Sequence, residues 1–475
     1  MKLSDLTIAK AKECLIDKKF SCQELTENVL GEINKRDKEI NSFINLNEKA
    51  IDEAKSIDQK ILVGKEIGKL AGIPLAIKDN ILVKGLKCTA GSKMLEEYVA
   101  PYNATVIEKL KKEDAIIIGK TNLDEFAMGS SGEYSAFGLT KNPLDPERVP
   151  GGSSAGSAAS VAVGFVLGAL GSDTGGSIRQ PAAFCGLVGL KPTYGRVSRY
   201  GLIAMASSLD QIGPLAKNVD DAEFIFNIIK GKDQSDSTSI EPRITNYQLP
   251  ITDLKIGLPK EYFINQLNIK IKNRIDEIIK KLEKLGTKIE KISLPHTDYA
   301  LPCYHIIMDA EASSNLARYD GVRFSKLKKI KSENIFDFYS ELRDKEFGPE
   351  VKRRIMLGTF VLSSGYKDNY YLKAQRVRQL IKKDFEEAFK KVDLILTPTT
   401  PTPAFKIGEK QNPVDLYLCD IFLAAVNLAG LPAVSVPIGK IVEPEMPVGL
   451  QIIAPYFRED LIFNLAKKIE KIVKA

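Results

Sequence analysis

Two turns rich in glycine and serine enclose an apolar segment between Pro150 and Ser177, and this stretch constrains the fold more than any other. It reads PGGSSAGSAASVAVGFVLGALGSDTGGS. Glycine reaches backbone conformations that other residues avoid, so each turn can aim a serine hydroxyl and several N–H groups at one point. The segment from Ala155 to Leu170 is apolar on every side, which predicts one buried helix. We therefore expect a central helix in a large core, with a serine-bearing turn at each end.

Short apolar runs alternate with amphipathic helical patterns along the rest of the chain. The runs predict buried strands at Ile73–Ile77, Ala115–Ile118, Gly186–Leu190, Arg196–Gly201, Leu394–Pro398 and Ala433–Pro437. Strands interleaved with helices predict an α/β fold whose mixed central β-sheet is covered by helices on both faces. Because 475 residues suffice for one large core, we predict one domain over residues 1–475. Within it, we expect residues 1–60 to form helices packed on the core and residues 232–252 to form a surface connection.

Charge and cysteine content narrow the classes of function. The formal net charge of +7 comes largely from lysines that occur in pairs on polar helix faces, a pattern that favours a solvated surface over a nucleic-acid patch. The six cysteines are scattered without a C-x-x-C pair, which argues against zinc fingers and disulfides and suits a reducing compartment. The start of the chain does not resemble a signal peptide, and no apolar run is long enough for a membrane span. We expect a cytoplasmic protein.

The scarcity of histidine constrains the catalytic chemistry. The chain has only His296 and His305, although histidine is the usual general base near neutral pH. The sequence from Gly152 to Gly156 fits the G-x-S-x-G motif of α/β-hydrolases, which would make Ser154 the nucleophile. Those enzymes place their histidine late in the chain, and here none follows residue 305. We therefore expect a base other than histidine.

Lys78 directly follows the predicted strand Ile73–Ile77. A lysine at the tip of a buried strand loses hydration, and its pKa falls, so that the neutral amine becomes available as a base. The competing interpretation is a lysine at the sheet edge whose ammonium group reaches water. The residue types alone leave both interpretations open.

Ser177 ends the second turn, in the sequence D-T-G-G-S. Successive N–H groups before and at a nucleophile can form a nest for a developing oxyanion. A serine hydroxyl needs a base to become a nucleophile, and a neutral lysine could serve, with the hydroxyl of Ser153 relaying the proton. The competing interpretation is that both serines are ordinary helix N-caps. The residue pattern does not choose between them.

These motifs resemble the amidase signature family. The resemblance rests on V-P-G-G-S-S-A-G-S-A-A-S followed by G-S-D-T-G-G-S-I-R-Q-P-A-A-F-C-G, and on G-I-P-L-A-I-K-D-N, T-N-L-D-E-F-A-M-G-S-S and N-P-L-D in the family's order. It implies the amidase signature fold over nearly the whole chain. It also implies a Ser–cis-Ser–Lys triad, with Ser177 as nucleophile, Ser153 as bridging serine after a cis peptide, and Lys78 as base. The oxyanion hole that it implies comprises Thr174, Gly175 and Gly176.

Three further segments resemble the glutamine-hydrolysing subunits of tRNA-dependent amidotransferases within that family. They are Ala310–Arg323, Val351–Tyr366 and Asn427–Pro437. The resemblance implies that Arg354 binds the carboxylate of glutamine, for which a guanidinium offers bidentate geometry; the adjacent Arg353 is the alternative. It further implies that Asp420 binds the α-amino group and that Tyr304 helps to gate the pocket.

The same resemblance implies a function. The chain would hydrolyse glutamine through an acyl-enzyme and supply ammonia that converts misacylated Glu-tRNA(Gln), or also Asp-tRNA(Asn), in an ATP-dependent reaction. It would act in a heterotrimer with two partners, a large one that binds tRNA and a small one, and would have no cofactor or metal of its own; ATP and Mg²⁺ would act at the large partner. The alternative is a stand-alone amidase for small aliphatic or aryl amides. A third hypothesis, from another class, is a non-catalytic scaffold that binds tRNA through its lysines.

Overall fold

An eleven-stranded mixed sheet runs through the computed structural model, which describes residues 6–241, 254–264, 266–327 and 332–474. Its strands are β1 Phe43–Leu46, β2 Pro74–Lys78, β3 Ile116–Thr121, β4 Gly168–Asp173, β5 Val188–Lys191, β6 Gln211–Ala216, β7 Lys255–Pro259, β8 Lys288–Ile292, β9 Leu394–Pro398, β10 Ala433–Ile441 and β11 Met446–Ile453. They lie in the order β1-β3-β2-β4-β6-β5-β10-β11-β9-β7-β8.

The α-helices of the described residues pack around this sheet. They are α1 Ile8–Ile16, α2 Cys22–Ile40, α3 Ala50–Leu62, α4 Thr105–Lys112, α5 Ala155–Ala162, α6 Arg179–Cys185, α7 Val219–Ile229, α8 Ile269–Lys284, α9 Ala300–Asn315, α10 Ile335–Glu346, α11 Pro349–Leu362, α12 Lys373–Ala388, α13 Pro413–Tyr417, α14 Ala424–Ala429 and α15 Glu459–Lys474. The predicted α/β class with a mixed central sheet is confirmed. No helix in this part of the chain is both long and apolar enough to cross a lipid bilayer.

The pairing of β2 fixes the edge at which polar groups collect. β2 lies between β3 and β4 and is parallel to both, whereas β4 pairs with β6 in the antiparallel direction. All residues of β2, β3 and β4 are buried. The carboxyl ends of parallel strands meet at one edge of a sheet, where α/β proteins commonly bind ligands. Lys78, the last residue of β2, therefore lies at the same edge as Ser172 and Asp173 at the end of β4.

The predicted helix over Ala155–Leu170 is wrong in its second half. Helix α5 ends at Ala162, and Gly164 takes a left-handed backbone conformation with φ +86°. The chain then reverses into β4, where a Cβ atom on Gly168 would lie 2.5 Å from Ile225 Cδ1. An apolar run fits a buried strand as well as a buried helix. Ser153 and Ser177 consequently flank a helix and a strand rather than one helix.

The other strand predictions agree with the structure, except at Arg196–Gly201. There only Val197 pairs, through an isolated bridge to Lys230. Gly195 and Gly201 both have φ +82°, so the chain turns at each end of the segment and cannot extend as a strand.

The N-terminal region contains one strand besides its predicted helices. β1 pairs antiparallel with β3 at the end of the sheet, and its four residues are too few to show a strand period between α2 and α3. Ile8, Leu25 and Val29 join the main core, as expected for helices packed on it. Of the predicted surface connection, residues 232–241 form turns, whereas residues 242–252 lie outside the described residues.

Candidate active site

Lys78 is a buried amine that contacts two serines. Its exposed fraction is 0%. Its Nζ lies 2.8 Å from Ser153 Oγ, 2.9 Å from Ser172 Oγ and 3.3 Å from the Ser172 carbonyl oxygen. Burial lowers the pKa of Lys78 to about 7, although the carboxylates of Asp124, Asp173 and Asp210 oppose the shift. A substantial fraction of this lysine is therefore neutral near pH 7, and the interpretation as a solvated surface lysine is wrong.

Ser153 lies in the turn that precedes α5. The Gly152–Ser153 peptide bond is cis, as the resemblance implied. The Gly152 N–H donates to Gln180 Oε1 at 2.9 Å, and a side chain at position 152 would collide with the Asp124 carboxylate. The surrounding groups therefore fix the turn that presents the Ser153 hydroxyl to Lys78.

Ser177 is the least buried member of the predicted triad. Its exposed fraction is 8%, against 0% for both Ser153 and Lys78. The Ser154 N–H donates to the Ser177 carbonyl oxygen at 3.2 Å, which ties the two serine turns together. No hydrogen bond joins the Ser177 hydroxyl to Ser153 or Lys78 among the described residues. The structure thus brings the base and the bridging serine into contact, and the last link of the relay stays a prediction.

The turn between β4 and α6 is held by Asp173. Its Oδ1 accepts from the Gly176 N–H at 2.9 Å, and its Oδ2 accepts from the Ile178 N–H at 3.1 Å. The fully buried guanidinium of Arg179 lies 3.0 Å from Asp173 Oδ1. Although burial would raise the pKa of Asp173, Arg179 holds it well below its usual range. The carboxylate therefore stays ionised and keeps the turn in place.

This contact bears on the predicted oxyanion hole. The Gly176 N–H is occupied by Asp173, and its role in an oxyanion hole would require that bond to open. Within the described ranges, the N–H groups of Thr174, Gly175 and Ser177 have no hydrogen-bond acceptor. Unpaired N–H groups beside a serine hydroxyl are the donors that a developing oxyanion needs.

Tyr304 and Asp420 border the same turn. A Cβ atom on Gly175 would lie 2.7 Å from Tyr304 Oη, and one on Gly176 would lie 3.2 Å from Asp420 Oδ1. Asp420 Oδ2 accepts from the Ser130 hydroxyl, but its Oδ1 is buried and has no partner among the described residues. Burial raises the pKa of Asp420 to about 7. A buried carboxylate oxygen without a partner is costly, and an ammonium group would satisfy it.

Arg354 and Arg353 both bond Glu350 in α11 but differ in burial. The side chain of Arg354 is 4% exposed and that of Arg353 is 39% exposed. Arg354 Nε donates to Glu350 Oε1 at 2.8 Å, and its guanidinium carbon lies 5.5 Å from the centre of the Tyr417 ring. Burial raises the pKa values of Tyr304 and Asp420, and the positive charge of Arg354 lowers both. The guanidinium group therefore interacts electrostatically with both residues. These positions favour Arg354 as the cation inside the site.

Neither histidine has a hydrogen bond to Lys78, Ser153 or Ser177 among the described residues, although the ring of His305 packs 5.1 Å from that of Tyr304. His296 Nδ1 lies 2.8 Å from Asp384 Oδ1, and the ring of His305 lies 4.1 Å from the ring of Tyr417. Ser154, the nucleophile of the α/β-hydrolase alternative, is fully buried and donates to the Ser172 carbonyl oxygen at 3.2 Å. The described residues therefore do not support a serine–histidine pair.

Two contacts of the candidate site escaped the sequence interpretation. Ser172 holds Lys78, and Ser130 holds Asp420. Both lie in the motifs that carry the family resemblance. Ser172 follows the segment that its apolar pattern assigns to a helix, which conceals that it ends the strand beside Lys78. Ser130 lies 290 residues from Asp420, and no local pattern joins two residues so far apart.

Comparison with known proteins gives a consistent result. The family model described as Amidase matches residues 24–463. The chain is 54% identical to the glutamyl-tRNA(Gln) amidotransferase A-subunit of Carboxydothermus hydrogenoformans over 477 residues, which cover 99% of this chain and 98% of that protein. Its structure is similar to the crystal structure of the glutamyl-tRNA(Gln) amidotransferase A-subunit from Thermotoga maritima, with a TM-score of 0.81 and 42% identity over 99% of this chain and 95% of that one. It is also similar to native peptide amidase from Stenotrophomonas maltophilia, with a TM-score of 0.82 and 28% identity over 99% and 97% of the two chains.

Proposed function

This chain belongs to the Amidase family, and from that membership we propose that it is the glutamine-hydrolysing subunit of a tRNA-dependent amidotransferase. The near full-length similarity to proteins named as the A-subunit of glutamyl-tRNA(Gln) amidotransferase supports this choice. One structural observation carries it further. Asp420, which has a carboxylate oxygen without a partner among the described residues, borders the turn that bears Ser177. The buried cation Arg354 lies near enough to lower the pKa values of Asp420 and Tyr304. Glutamine carries the two opposite charges that such a pair would bind.

The triad performs the first half of the reaction. Neutral Lys78 accepts the Ser153 proton while Ser153 takes the proton of the Ser177 hydroxyl, and Ser177 Oγ attacks the side-chain carbonyl carbon of glutamine. The unpaired N–H groups of Thr174, Gly175 and Ser177 stabilise the resulting oxyanion. The proton then returns through Ser153 to the leaving nitrogen, the C–N bond breaks, and ammonia departs from a glutamyl ester on Ser177.

Water completes the cycle by the same path. Lys78 and Ser153 remove a proton from the water as it attacks the ester carbonyl, and a second oxyanion forms in the same place. Collapse of this intermediate breaks the bond to Ser177 Oγ, which recovers its proton from the relay. Glutamate leaves, and Lys78 is neutral again.

Ammonia from this site would serve a partner protein. We place the chain in the cytoplasm, in a heterotrimer with a large partner that binds tRNA and a second, small partner. ATP and Mg²⁺ would act at the large partner, where the misacylated tRNA is activated for amidation. The relatives' names support Glu-tRNA(Gln) as the acceptor, and Asp-tRNA(Asn) is the second acceptor to test.

The experiment must separate this function from that of a stand-alone amidase. The similarity to a peptide amidase means that the fold alone does not choose between them. The purified complex is assayed for glutamine hydrolysis with and without misacylated tRNA and ATP, and the single chain is assayed on butyramide and benzamide. We expect glutamine to be the preferred substrate and tRNA amidation to consume it. Fast turnover of simple amides by the single chain, with little turnover of glutamine, would establish the alternative.

A further inference from the structure

Glu125 is a buried carboxylate that the proposed mechanism does not use. It precedes two residues in the left-handed region, Phe126 with φ 49° and Ala127 with φ 63°. Such conformations persist in non-glycine residues only where the surroundings enforce them. The ring of Phe126 packs 5.1 Å from Tyr319 and 5.7 Å from Phe347, measured between centres. This strained segment is therefore held against the residue that lies two positions before α11.

The carboxylate of Glu125 caps α11. Its Oε2 accepts from the Gly348 N–H at 2.7 Å, and its Oε1 accepts from the Ser92 hydroxyl. Gly348 is the N-cap residue and has no side chain that could cap the helix. The first N–H groups of a helix lack partners within it, and a negative charge there is favourable. A side chain on Gly348 would collide with Glu125 Oε2, so the contact is close as well as polar.

Helix α11 begins at this contact and carries the buried cation of the site. Arg354 follows Gly348 by six residues, and Glu350, in the first turn, accepts from Arg354 Nε at 2.8 Å. The segment that starts at Glu125 also reaches Ser130, whose hydroxyl donates to Asp420. One short segment thus contacts both the helix that bears Arg354 and the carboxylate of Asp420.

We propose that Glu125 is a positioning residue that sets where Arg354 stands relative to Asp420 and Ser177. This inference rests on the proposed function, in which Arg354 binds the carboxylate of glutamine. Loss of the Glu125–Gly348 contact frees the start of α11, so the guanidinium shifts away from the substrate carboxylate. The neighbouring Asp124 N–H donates to the Ser153 carbonyl oxygen at 3.3 Å, but the Glu125 side chain has no part in the Lys78–Ser153 contact, which we expect to be unchanged. The effect falls on glutamine binding and spares the chemical step, which a change in KM without a change in kcat reports.

The test compares Glu125→Ala with Glu125→Gln in the full chain assembled with its partners. Glu125→Ala should raise the KM for glutamine tenfold or more, with kcat and the turnover of butyramide, which has no α-carboxylate, within threefold of the unmodified chain. Glu125→Gln should restore the KM, because its amide oxygen accepts from Gly348 and its NH₂ group donates to Ser92. Glu341→Ala, which removes a half-exposed carboxylate from α10, is the control and should change neither parameter.

A double variant distinguishes failure of this inference from failure of the proposed function. If Glu125 acts through Arg354, then Glu125→Ala adds nothing to the KM of Arg354→Ala. A raised KM in Arg354→Ala with an unchanged KM in Glu125→Ala overturns the role of Glu125 alone. An unchanged KM in Arg354→Ala overturns the glutamine clamp and this inference with it. If Glu125→Ala loses activity on glutamine and on butyramide to the same extent, Glu125 has only a structural role. If Glu125→Ala does not fold, Glu125→Asp replaces it in the test, because its shorter side chain does not reach Gly348.

Discussion

Lys78 Nζ lies 2.8 Å from Ser153 Oγ, and the exposed fraction of both residues is 0%. Burial lowers the pKa of Lys78 to about 7, so the amine is available as a base without any histidine. The two groups come from different parts of the chain, the end of β2 and the turn before α5. Their contact is the geometric basis of the function proposed for this protein.

The roles of Ser177 and Ser154 can be separated by substitution. Ser177→Ala should reduce glutamine hydrolysis by about 10³-fold or more, because it removes the attacking oxygen. Ser154→Ala removes a hydroxyl that donates to the Ser172 carbonyl oxygen and accepts from the Ser172 N–H, and it should cost stability of about 1 kcal/mol per lost bond with far less loss of turnover than Ser177→Ala. Steady-state assays and thermal unfolding measure the two effects. Loss of activity in Ser154→Ala with normal turnover in Ser177→Ala would favour the α/β-hydrolase alternative.

Arg354 and Arg353 provide a matched pair for the substrate clamp. Arg354→Ala removes charge-assisted hydrogen bonds worth about 1.5–3 kcal/mol, so the KM for glutamine should rise about 10- to 150-fold. Transfer from free ammonia to tRNA should be unaffected, since that reaction bypasses the glutamine site. Arg353, whose side chain is 39% exposed, bonds the other oxygen of Glu350. Arg353→Ala leaves the Arg354–Glu350 bond in place and should raise the KM far less than Arg354→Ala. If glutamine-dependent and ammonia-dependent transfer decline together in Arg354→Ala, Arg354 has a structural role.

The Asp173–Arg179 ion pair makes a prediction about stability. Both side chains are 0% exposed and lie 3.0 Å apart. Arg179→Leu leaves a buried carboxylate without its cation, which should lower the free energy of unfolding by about 3–5 kcal/mol. The exposed Lys272–Asp276 pair on α8 is the control, and Lys272→Ala should cost about 0.3–0.5 kcal/mol. Denaturant unfolding of both variants measures the two changes in the free energy of unfolding. Equal changes would show that burial does not determine how much an ion pair contributes to stability.

Local sequence patterns correctly predicted the segments whose pattern is compatible with only one kind of secondary structure. Ile73–Ile77 is a short run of apolar residues before a lysine, and it forms β2 as expected. Ala155–Leu170 is longer and apolar throughout, so its period could not reveal that a helix ends at Ala162 and that the chain turns at Gly164 towards a strand. The error concealed the position of Ser172 beside Lys78.

No local sequence pattern predicted the residues on the substrate-binding side of the site. Tyr304, Arg354 and Asp420 come from separate helical segments that follow the signature motifs. Their positions relative to one another depend on long-range packing, and only the family resemblance indicated them. The hydrogen bond from the Gly176 N–H to Asp173 depends on the conformation of the turn, and no residue pattern predicted it.

The pH dependence of butyramide hydrolysis tests the central claim most directly. Butyramide has no ammonium group, so the titration of Asp420, whose pKa burial raises to about 7, does not enter through substrate binding. A lysine base must be neutral, and activity is therefore present above its pKa and lost as the pH falls through it. We predict that kcat/KM rises with pH to a plateau with an apparent pKa near 7, and that Lys78→Ala lowers this activity by several orders of magnitude. A flat profile between pH 6 and pH 9, or turnover that survives in Lys78→Ala, would contradict the account.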